Sequence, residues 1–166
     1  MSTLHIEAMH SDDWPAVRSI YLEGMSTGYT TFETEAPSWQ DWDASHHQCG
    51  RLVAREADRV VGWAALSPVS RRQVYSGVAE VSVYVSGDSR GKGIGRALLE
   101  RLIRESEKNG IWTLQASVFP DNAATIGLHR ACGFHEVGRR ERIGKLNSTW
   151  RDTLLLERRS QVAGID

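Results

Sequence analysis

The fold is decided by residues Val81 to Ile103, which read Val-Ser-Val-Tyr-Val-Ser-Gly-Asp-Ser-Arg-Gly-Lys-Gly-Ile-Gly-Arg-Ala-Leu-Leu-Glu-Arg-Leu-Ile. A valine-rich strand runs into a short polar loop, and three alternate glycines (Gly91, Gly93, Gly95) then open an amphipathic helix. A helix start offers unpaired backbone N–H groups and the positive end of the helix dipole, and glycine lets an anion approach closely. The positive side chains around the same turn are Arg90, Lys92 and Arg96. The stretch therefore predicts a pyrophosphate site.

Two common phosphate-binding motifs do not fit this spacing. A P-loop needs four residues between its first glycine and the Gly-Lys-Ser/Thr group, whereas three residues separate Gly87 from Gly91 and a glycine follows Lys92. A dinucleotide fingerprint needs Gly-x-Gly-x-x-Gly, and the third glycine comes one residue early here. The loop therefore belongs to another class of anion site.

The run from Arg90 to Gly95 resembles the Arg/Gln-x-x-Gly-x-Gly/Ala loop of the GNAT superfamily of N-acetyltransferases, which binds the pyrophosphate of acetyl-CoA. A glycine-rich turn without a ligand is the alternative. The resemblance implies acetyl-CoA as the cofactor, with the strand backbone pairing with pantetheine amides like an added strand. The residues it assigns to acetyl-CoA are Val83, Tyr84, Val85, Arg90, Gly91, Lys92, Gly93, Ile94, Gly95, Arg96 and Asn122.

Length and composition predict one domain in a reducing compartment. The chain has 166 residues, with 20 Lys and Arg against 21 Asp and Glu, so net charge gives no general affinity for nucleic acid or an anionic membrane. Two cysteines are too few for a disulfide framework, and His46, His47 and Cys49 lack a second ligand pair for a metal. No segment approaches the roughly 20 apolar residues of a membrane span. We expect a cytoplasmic protein without a metal.

Hydrophobic periodicity predicts seven strands and four helices. The predicted strands are Leu4 to Met9, Leu52 to Arg55, Val60 to Leu66, Val78 to Val85, Trp112 to Val118, Phe134 to Val137 and Thr149 to Leu156. The predicted helices begin near Ser11 or Asp12, at Ser38, at Ile94 and at Pro120. The order β-α-α-β-β-β-α-β-α-β-β describes an α/β chain with one mixed sheet covered on both faces, as in the GNAT fold. We expect a single domain over residues 1–159 and a loose tail over residues 160–166.

Glu80 is the predicted catalytic base. Acetyl transfer needs a neutral amine, so a base must take the ammonium proton directly or through water. Strand alternation separates Glu80 from the apolar odd positions of the strand, which are Ala79, Val81, Val83 and Val85. Its place beside the cofactor strand is similar to that of the family's catalytic glutamate. The alternative is a structural glutamate on a polar strand face.

A second cofactor motif of the family, Asn-x-x-Ala/Ser-x-x-Leu-Tyr-x-x-x-Gly-Phe, resembles the stretch from Asn122 to Phe134. The resemblance places the amide of Asn122 near the pantetheine arm or thiol, and a helix cap is its alternative role. His129 stands where many members carry the tyrosine that protonates the departing thiolate. Histidine can also donate a proton near neutral pH, so the resemblance predicts an acid here. Packing or hydrogen bonding is the alternative for His129.

Four further stretches resemble the phosphinothricin acetyltransferase branch of the family. They are Thr31 to Glu35 with Pro37, Ala79 to Val85, Gly127 to His129, and Trp150 to Asp152. Members of this branch acetylate the α-amine of glutamate-like analogues such as phosphinothricin and methionine sulfoximine, and related enzymes take arsinothricin. The sequence departs from the branch by inserting Ala36 and by carrying Val69 where a tryptophan is usual. Both departures fall on the acceptor side.

The predicted acceptor residues follow from the chemistry of such an analogue. Arg71 and Arg72 could pair with its carboxylate and second anion, or could be solvated loop charges. Phe32, Thr34 and Tyr75 would line the pocket, although Phe32 could also be core. The resemblance implies a homodimer. It also implies that acetylation of toxic amino acid analogues confers resistance to them. The alternatives are a GNAT enzyme with another amine acceptor and a non-catalytic acyl-CoA-binding module.

Overall fold

In residues 2–166, which the computed structural model describes, one seven-stranded mixed sheet carries four α-helices. The strands are β1 (Leu4–Ala8), β2 (Leu52–Glu56), β3 (Arg59–Pro68), β4 (Val78–Val85), β5 (Thr113–Val118), β6 (His135–Leu146) and β7 (Thr149–Arg159). The helices are α1 (Trp14–Thr27), α2 (Trp39–Ser45), α3 (Ile94–Lys108) and α4 (Ala123–Ala131). The predicted element order is confirmed. None of these helices is both long enough and apolar enough to cross a membrane.

The sheet order is β1-β2-β3-β4-β5-β7-β6, and β4 with β5 is its parallel pair. These two strands are paired only where Val78–Glu80 faces Thr113–Gln115. Beyond that point β4 stays paired with β3 as far as Val85, while β5 stays paired with β7 as far as Val118. The edge of β4 that faces β5 therefore loses its strand partner after Glu80, and a gap opens in the sheet.

Both faces of the sheet are covered by apolar side chains. On one face, Leu98, Leu99 and Leu102 of α3 are fully buried, as the helical spacing predicts. On the other face, Trp42 of α2 and Trp63 of β3 form an aromatic cluster with residues of α1. Each such side chain contributes about 1.5–3 kcal/mol when buried. The burial fixes the start of α3 against β4.

The strand β6 is longer than the predicted Phe134 to Val137. It continues to Leu146, with most of its side chains exposed. Register shifts between Glu136 and Gly138 and again between Arg140 and Gly144 interrupt the alternation of its faces. This strand is held by its backbone hydrogen bonds to β7 and has no buried face. Its sequence therefore lacks the alternation of apolar residues that marks a strand.

Residues 160–164, within the segment that the sequence predicts to be a loose tail, make specific contacts with the rest of the chain. The Arg159 guanidinium donates to the carbonyls of Ala163 and Gly164. The Ser160 hydroxyl donates to Glu107 Oε2 at 2.6 Å, and both Ser160 and Ala163 are buried. The tail is therefore folded back against the end of α3, and these contacts are too local and polar to be visible in an apolar pattern.

Deletion of residues 160–166 should lower the thermal midpoint by about 3–8 °C, because it removes the Ser160–Glu107 hydrogen bond and the burial of Ala163. Differential scanning calorimetry measures the change. Deletion of Ile165 and Asp166 alone is the matched control, since both are exposed. Equal midpoints for the two truncated chains would contradict the folded tail.

Candidate active site

The gap between β4 and β5 opens into a cleft of about 1480 Å³. Its walls combine the edge of β4, the end of β5, the first turns of α3 and α4, and the segment from Tyr29 to Ser38 that precedes α2. Most of the predicted cofactor residues line this cleft, and Glu80 and His129 line it too. The cleft therefore joins the predicted cofactor loop to the predicted base.

At one end of the cleft, the glycine loop has the backbone of an anion site. Gly91 and Gly93 have φ values of +77° and +80°, a region that favours glycine. A Cβ at either position would meet no protein atom within 4 Å, so the space beside the loop is open to a ligand. Gly93 caps α3 without any side-chain hydrogen bond, and the first N–H groups of the helix stay available.

Gly95 has a different role from the other two glycines of the loop. A Cβ there would lie 3.3 Å from Leu128 Cδ2 of α4. The missing side chain lets the starts of α3 and α4 pack closely. The two helix starts thus form adjoining walls of the cleft.

The positive side chains around the loop are exposed and differ in their partners. Arg90 Nε donates to the Val85 carbonyl at 3.4 Å, which aligns it along the end of β4. Arg96 forms an ion pair with Glu100 one turn later on α3, at 2.8 Å. Lys92 is exposed and does not line the cleft. Arg90 and Arg96 are therefore the charges that could meet a pyrophosphate inside the cleft.

The side chain of Tyr84 points away from the cofactor edge. Its ring stacks on Trp63 with centroids 4.9 Å apart and lies 5.0 Å from the Tyr21 ring. Burial raises the pKa of the Tyr84 phenol, and Tyr21 adds to this effect. Its backbone faces β3, since Tyr84 is paired with Trp63 in the register in which Ser86 N donates to the Val61 carbonyl. Neighbouring residues of a strand present their backbone groups to opposite edges, so Val83 and Val85 can serve a ligand in the gap and the cofactor role of Tyr84 stays a prediction.

Glu80 lies where the two strands separate. Its Oε1 accepts from Gln115 Nε2 and from Ser117 Oγ of β5, each at 3.4 Å. Neither donor bonds to Oε2, so that oxygen is left for an acceptor amine. The carboxylate is half-buried, whereas Ser117 is exposed and offers a route from Glu80 to solvent.

The geometry around His129 favours packing over acid catalysis. Its Nδ1 lies 2.7 Å from the Thr125 carbonyl, which can only accept, so the ring proton is on Nδ1. The ring packs edge-on against Phe134, and burial lowers the pKa of His129. A neutral ring of this tautomer has no Nε2 proton to give to a thiolate. The acid role stays a prediction, with this geometry against it.

The side chain of Asn122 caps a helix, the alternative recognised from sequence. Its Oδ1 accepts from Thr125 N at 3.2 Å, and its Nδ2 donates to the Tyr29 carbonyl at 3.0 Å. The remaining Nδ2 proton is free for a ligand, since Asn122 lines the cleft. Asn122 therefore ties the start of α4 to the segment before α2.

Arg151 fixes the same segment from the other side, a role that the sequence did not reveal. Its guanidinium lies 4.2 Å from the Phe119 ring centroid and donates to the Gly28 carbonyl at 3.1 Å. It also pairs with Asp121 at 3.2 Å. Phe119 in turn meets Phe32 edge-on at 4.9 Å. Arg151 of β7 therefore links the end of α1, at Gly28, to the turn after β5, at Phe119 and Asp121.

The five residues predicted for the acceptor do not line the cleft of one chain. Phe32 packs against Phe119, in keeping with the alternative that it is a core residue, and Thr34 is exposed. The loop from Val69 to Gly77 carries the other three on the surface, with the Arg72 guanidinium 5.4 Å from the Tyr75 ring centroid. Their acceptor roles stay predictions, and within one chain Arg71, Arg72 and Tyr75 stand outside the site.

Other residues take the acceptor end of the cleft. They include Tyr29, Thr31, Glu33, Glu35, Asp41 and His46, together with Ser67 and Ser117. His46 stacks on Trp42, and its Nδ1 lies 2.7 Å from the Trp42 carbonyl, so packing accounts for it. Thr31, Glu33 and Glu35 belong to a stretch that the family resemblance marked without assigning them a role. The alternation of β5 could have revealed Ser117, because it puts Ser117 on one face with Gln115, beside Glu80.

Comparison with known protein families matches residues 14–134 to the Acetyltransferase (GNAT) family. The chain belongs to the GNAT family. The resemblance read from the glycine loop is confirmed, and so is the fold class. The family comprises acetyltransferases, and this chain is an acetyl-CoA-dependent N-acyltransferase related to phosphinothricin and methionine sulfoximine acetyltransferases.

Three relatives support this assignment. The phosphinothricin N-acetyltransferase of Alcaligenes faecalis is 32% identical over 92% of this chain and 81% of its own. The L-methionine sulfoximine/L-methionine sulfone acetyltransferase of Pseudomonas aeruginosa is 30% identical over 87% of this chain and 88% of its own. A phosphinothricin acetyltransferase from Sinorhizobium meliloti, solved with acetyl-CoA, superposes with a TM-score of 0.87 at 27% identity, covering 99% and 92% of the two chains.

The residues of this chain fit acetyl-CoA. The open space at Gly91 and Gly93 suits the pyrophosphate, and the unpaired edge of β4 suits the amides of the pantetheine arm. Arg90 and Arg96 supply charge of the right sign. The cleft leads from this loop to Glu80. Acetyl-CoA and an acceptor amine could therefore bind in it at the same time.

The substitution Gly93→Val should weaken acetyl-CoA binding by at least tenfold, because the side chain would fill the open space above the first N–H groups of α3. Isothermal titration calorimetry with CoA measures this. Gly110→Val is the matched control, since Gly110 has a φ of +75° and open space around it, but follows α3 outside the cleft. If both substitutions weaken binding equally, backbone strain rather than the phosphate site is responsible.

Proposed function

We propose that this enzyme acetylates the α-amine of a small glutamate-like amino acid analogue, of the phosphinothricin, methionine sulfoximine or arsinothricin type, and thereby detoxifies it. The observation that carries the proposal is the position of Glu80 where β4 and β5 separate, with its Oε2 left for an amine. The named activities of the relatives in Alcaligenes faecalis and Pseudomonas aeruginosa support this acceptor class.

Each step assigned to the protein follows from a group in the cleft. Acetyl-CoA, when bound, supplies a thioester carbonyl that is open to attack. Glu80 Oε2 accepts a proton from the acceptor ammonium, which leaves the nitrogen lone pair free to attack directly. A backbone N–H on the unpaired edge of β4 donates to the carbonyl oxygen as negative charge develops there. As the amide bond forms, the bond between the acetyl carbon and the CoA sulfur would break, and the leaving thiolate would take the second proton that the nitrogen loses. Glu80 would then release its own proton to solvent.

We propose further that the enzyme is a homodimer in which the loop from Val69 to Gly77 of one subunit completes the acceptor site of the other. This loop starts two residues after Ser67, which lines the cleft, and ends three residues before Glu80. It exposes Val69, Val74 and Tyr75, which is costly unless another surface covers them. Arg71 and Arg72 of the loop would then bring cations to a cleft end that one chain lines with carboxylates.

A second candidate acceptor is a cationic amine, such as a polyamine. Glu33, Glu35 and Asp41 line the acceptor end of the cleft in a single chain. If no second subunit contributes arginines, these carboxylates favour a substrate with several positive charges. The two acceptor classes carry opposite charge, so a direct assay separates them.

An acceptor panel tests the proposed substrate class. The protein is incubated with acetyl-CoA and L-phosphinothricin, L-methionine sulfoximine, arsinothricin, spermidine or an aminoglycoside, and released thiol is followed. We expect release with at least one of the first three amines and none above background with the last two. Release with the cationic amines alone would replace the proposed acceptor, and tight CoA binding without any turnover would indicate a binding module.

A mixing experiment tests the base and the shared site together. Glu80→Gln should lower kcat about 100-fold with CoA binding unchanged, and Arg72→Ala should raise the KM of the acceptor. Because a mixed dimer keeps one intact site, co-expressed Glu80→Gln and Arg72→Ala chains should regain about a quarter of wild-type activity.

The control pair for this experiment is Glu80→Gln mixed with Gly93→Val. Both residues line the cleft of the same chain, so no mixed dimer contains an intact site. This pair should regain nothing. Full activity of Glu80→Gln across the pH range would refute the base, and failure of the first pair to regain activity would refute the shared acceptor site.

A further inference from the structure

The turn from Ser86 to Ser89, between β4 and the glycine loop, is held by charged side chains that the predicted cofactor motif does not include. Asp88 Oδ1 accepts from the hydroxyl of Ser86 at 2.8 Å and from that of Ser89 at 3.2 Å. Both serines are only 3% exposed. Asp88 thus satisfies two buried hydroxyls on either side of itself.

Arg59 connects this turn to the sheet. Its Nη2 lies 2.8 Å from Asp88 Oδ2 and 3.0 Å from Oδ1, at the start of β3. The Arg59 guanidinium, with help from the serine hydroxyls, lowers the pKa of Asp88 to about 2. The carboxylate is therefore charged at every pH at which the enzyme would work.

Two backbone bonds complete the hold on the turn. Ser86 N donates to the Val61 carbonyl of β3, and Gly87 N donates to Glu23 Oε2 of α1, each at 2.8 Å. The turn is thus anchored to β3 and to α1, which lies on the face of the sheet opposite α3. The last residue of the turn, Ser89, and the next residue, Arg90, line the cleft.

The sign of the charge makes this arrangement informative. An unpaired carboxylate two residues before Arg90 would repel a pyrophosphate in the loop. Exposed ion pairs such as Arg59–Asp88 contribute little to global stability. The contribution of Asp88 is therefore local, namely its hydrogen bonds to the serines of the turn. The ion pair with Arg59 removes most of the repulsion between Asp88 and a bound pyrophosphate.

We propose that Asp88, paired with Arg59, is the positioning residue of the pyrophosphate-binding loop. It fixes the turn so that Arg90, Gly91 and the start of α3 face the anion before the ligand arrives. The inference builds on the use of acetyl-CoA and does not depend on which amine is the acceptor.

Calorimetric titration of the full-length protein with CoA tests this role. Asp88→Ala should raise the Kd of CoA about tenfold, because both serine hydroxyls and Arg59 lose their acceptor. Asp88→Asn should raise it less, since its amide oxygen can still accept from the serines. The thermal midpoint of Asp88→Asn should stay close to that of the wild type, because the serines keep an acceptor and the ion pair is exposed. The midpoint of Asp88→Ala should fall by a few degrees, because two buried hydroxyls lose their acceptor.

The matched control is Glu105→Gln, which removes an ion-paired carboxylate of α3 that does not line the cleft. It should leave the Kd of CoA within about twofold of the wild type. Dephospho-CoA, which lacks the 3′-phosphate but keeps the pyrophosphate, should lose the same factor as CoA with Asp88→Ala. An unchanged Kd for either ligand with Asp88→Ala, or an equal loss with Glu105→Gln, would overturn the proposal. Since no acceptor is present, failure of the acceptor panel leaves this test intact.

Discussion

The separation of β4 from β5 after Glu80 is the constraint on which the site depends. A parallel pair normally continues its ladder, because unpaired backbone groups inside a sheet are costly. Here each strand keeps its other neighbour, β3 or β7, so both stay in place while the gap between them opens. The unpaired edge of β4 becomes a hydrogen-bonding surface for an extended ligand, and Glu80 marks its closed end.

The packing on both faces keeps that gap from closing. The leucines of α3 fix the glycine loop at the outer end of β4, and the close approach of α3 and α4 at Gly95 sets the width of the cleft there. On the acceptor side, Asn122 and Arg151 fasten the segment before α2 to the turn after β5. Side chains distant in sequence therefore hold the walls, and the ligand-facing groups are largely backbone.

The sequence was most informative where a backbone requirement forces a residue type. Positive φ at Gly91 and Gly93, the leucine period of α3 and the valine alternation of β4 follow from steric rules, so the cofactor half of the site was predictable. The acceptor half was not. Its walls come from an irregular segment without a period, and Arg71 and Arg72 stand on an exposed loop outside the cleft. The hydrogen bond that decides the tautomer of His129 is likewise invisible in sequence.

A crystal structure of the enzyme with CoA and L-phosphinothricin tests the central claim most directly. The account predicts that the pantetheine arm lies in the gap along β4, with the amine nitrogen of the acceptor within hydrogen-bonding distance of Glu80 Oε2. A pantetheine arm bound outside the gap, or an amine nitrogen held by another residue with Glu80 turned away, would contradict it.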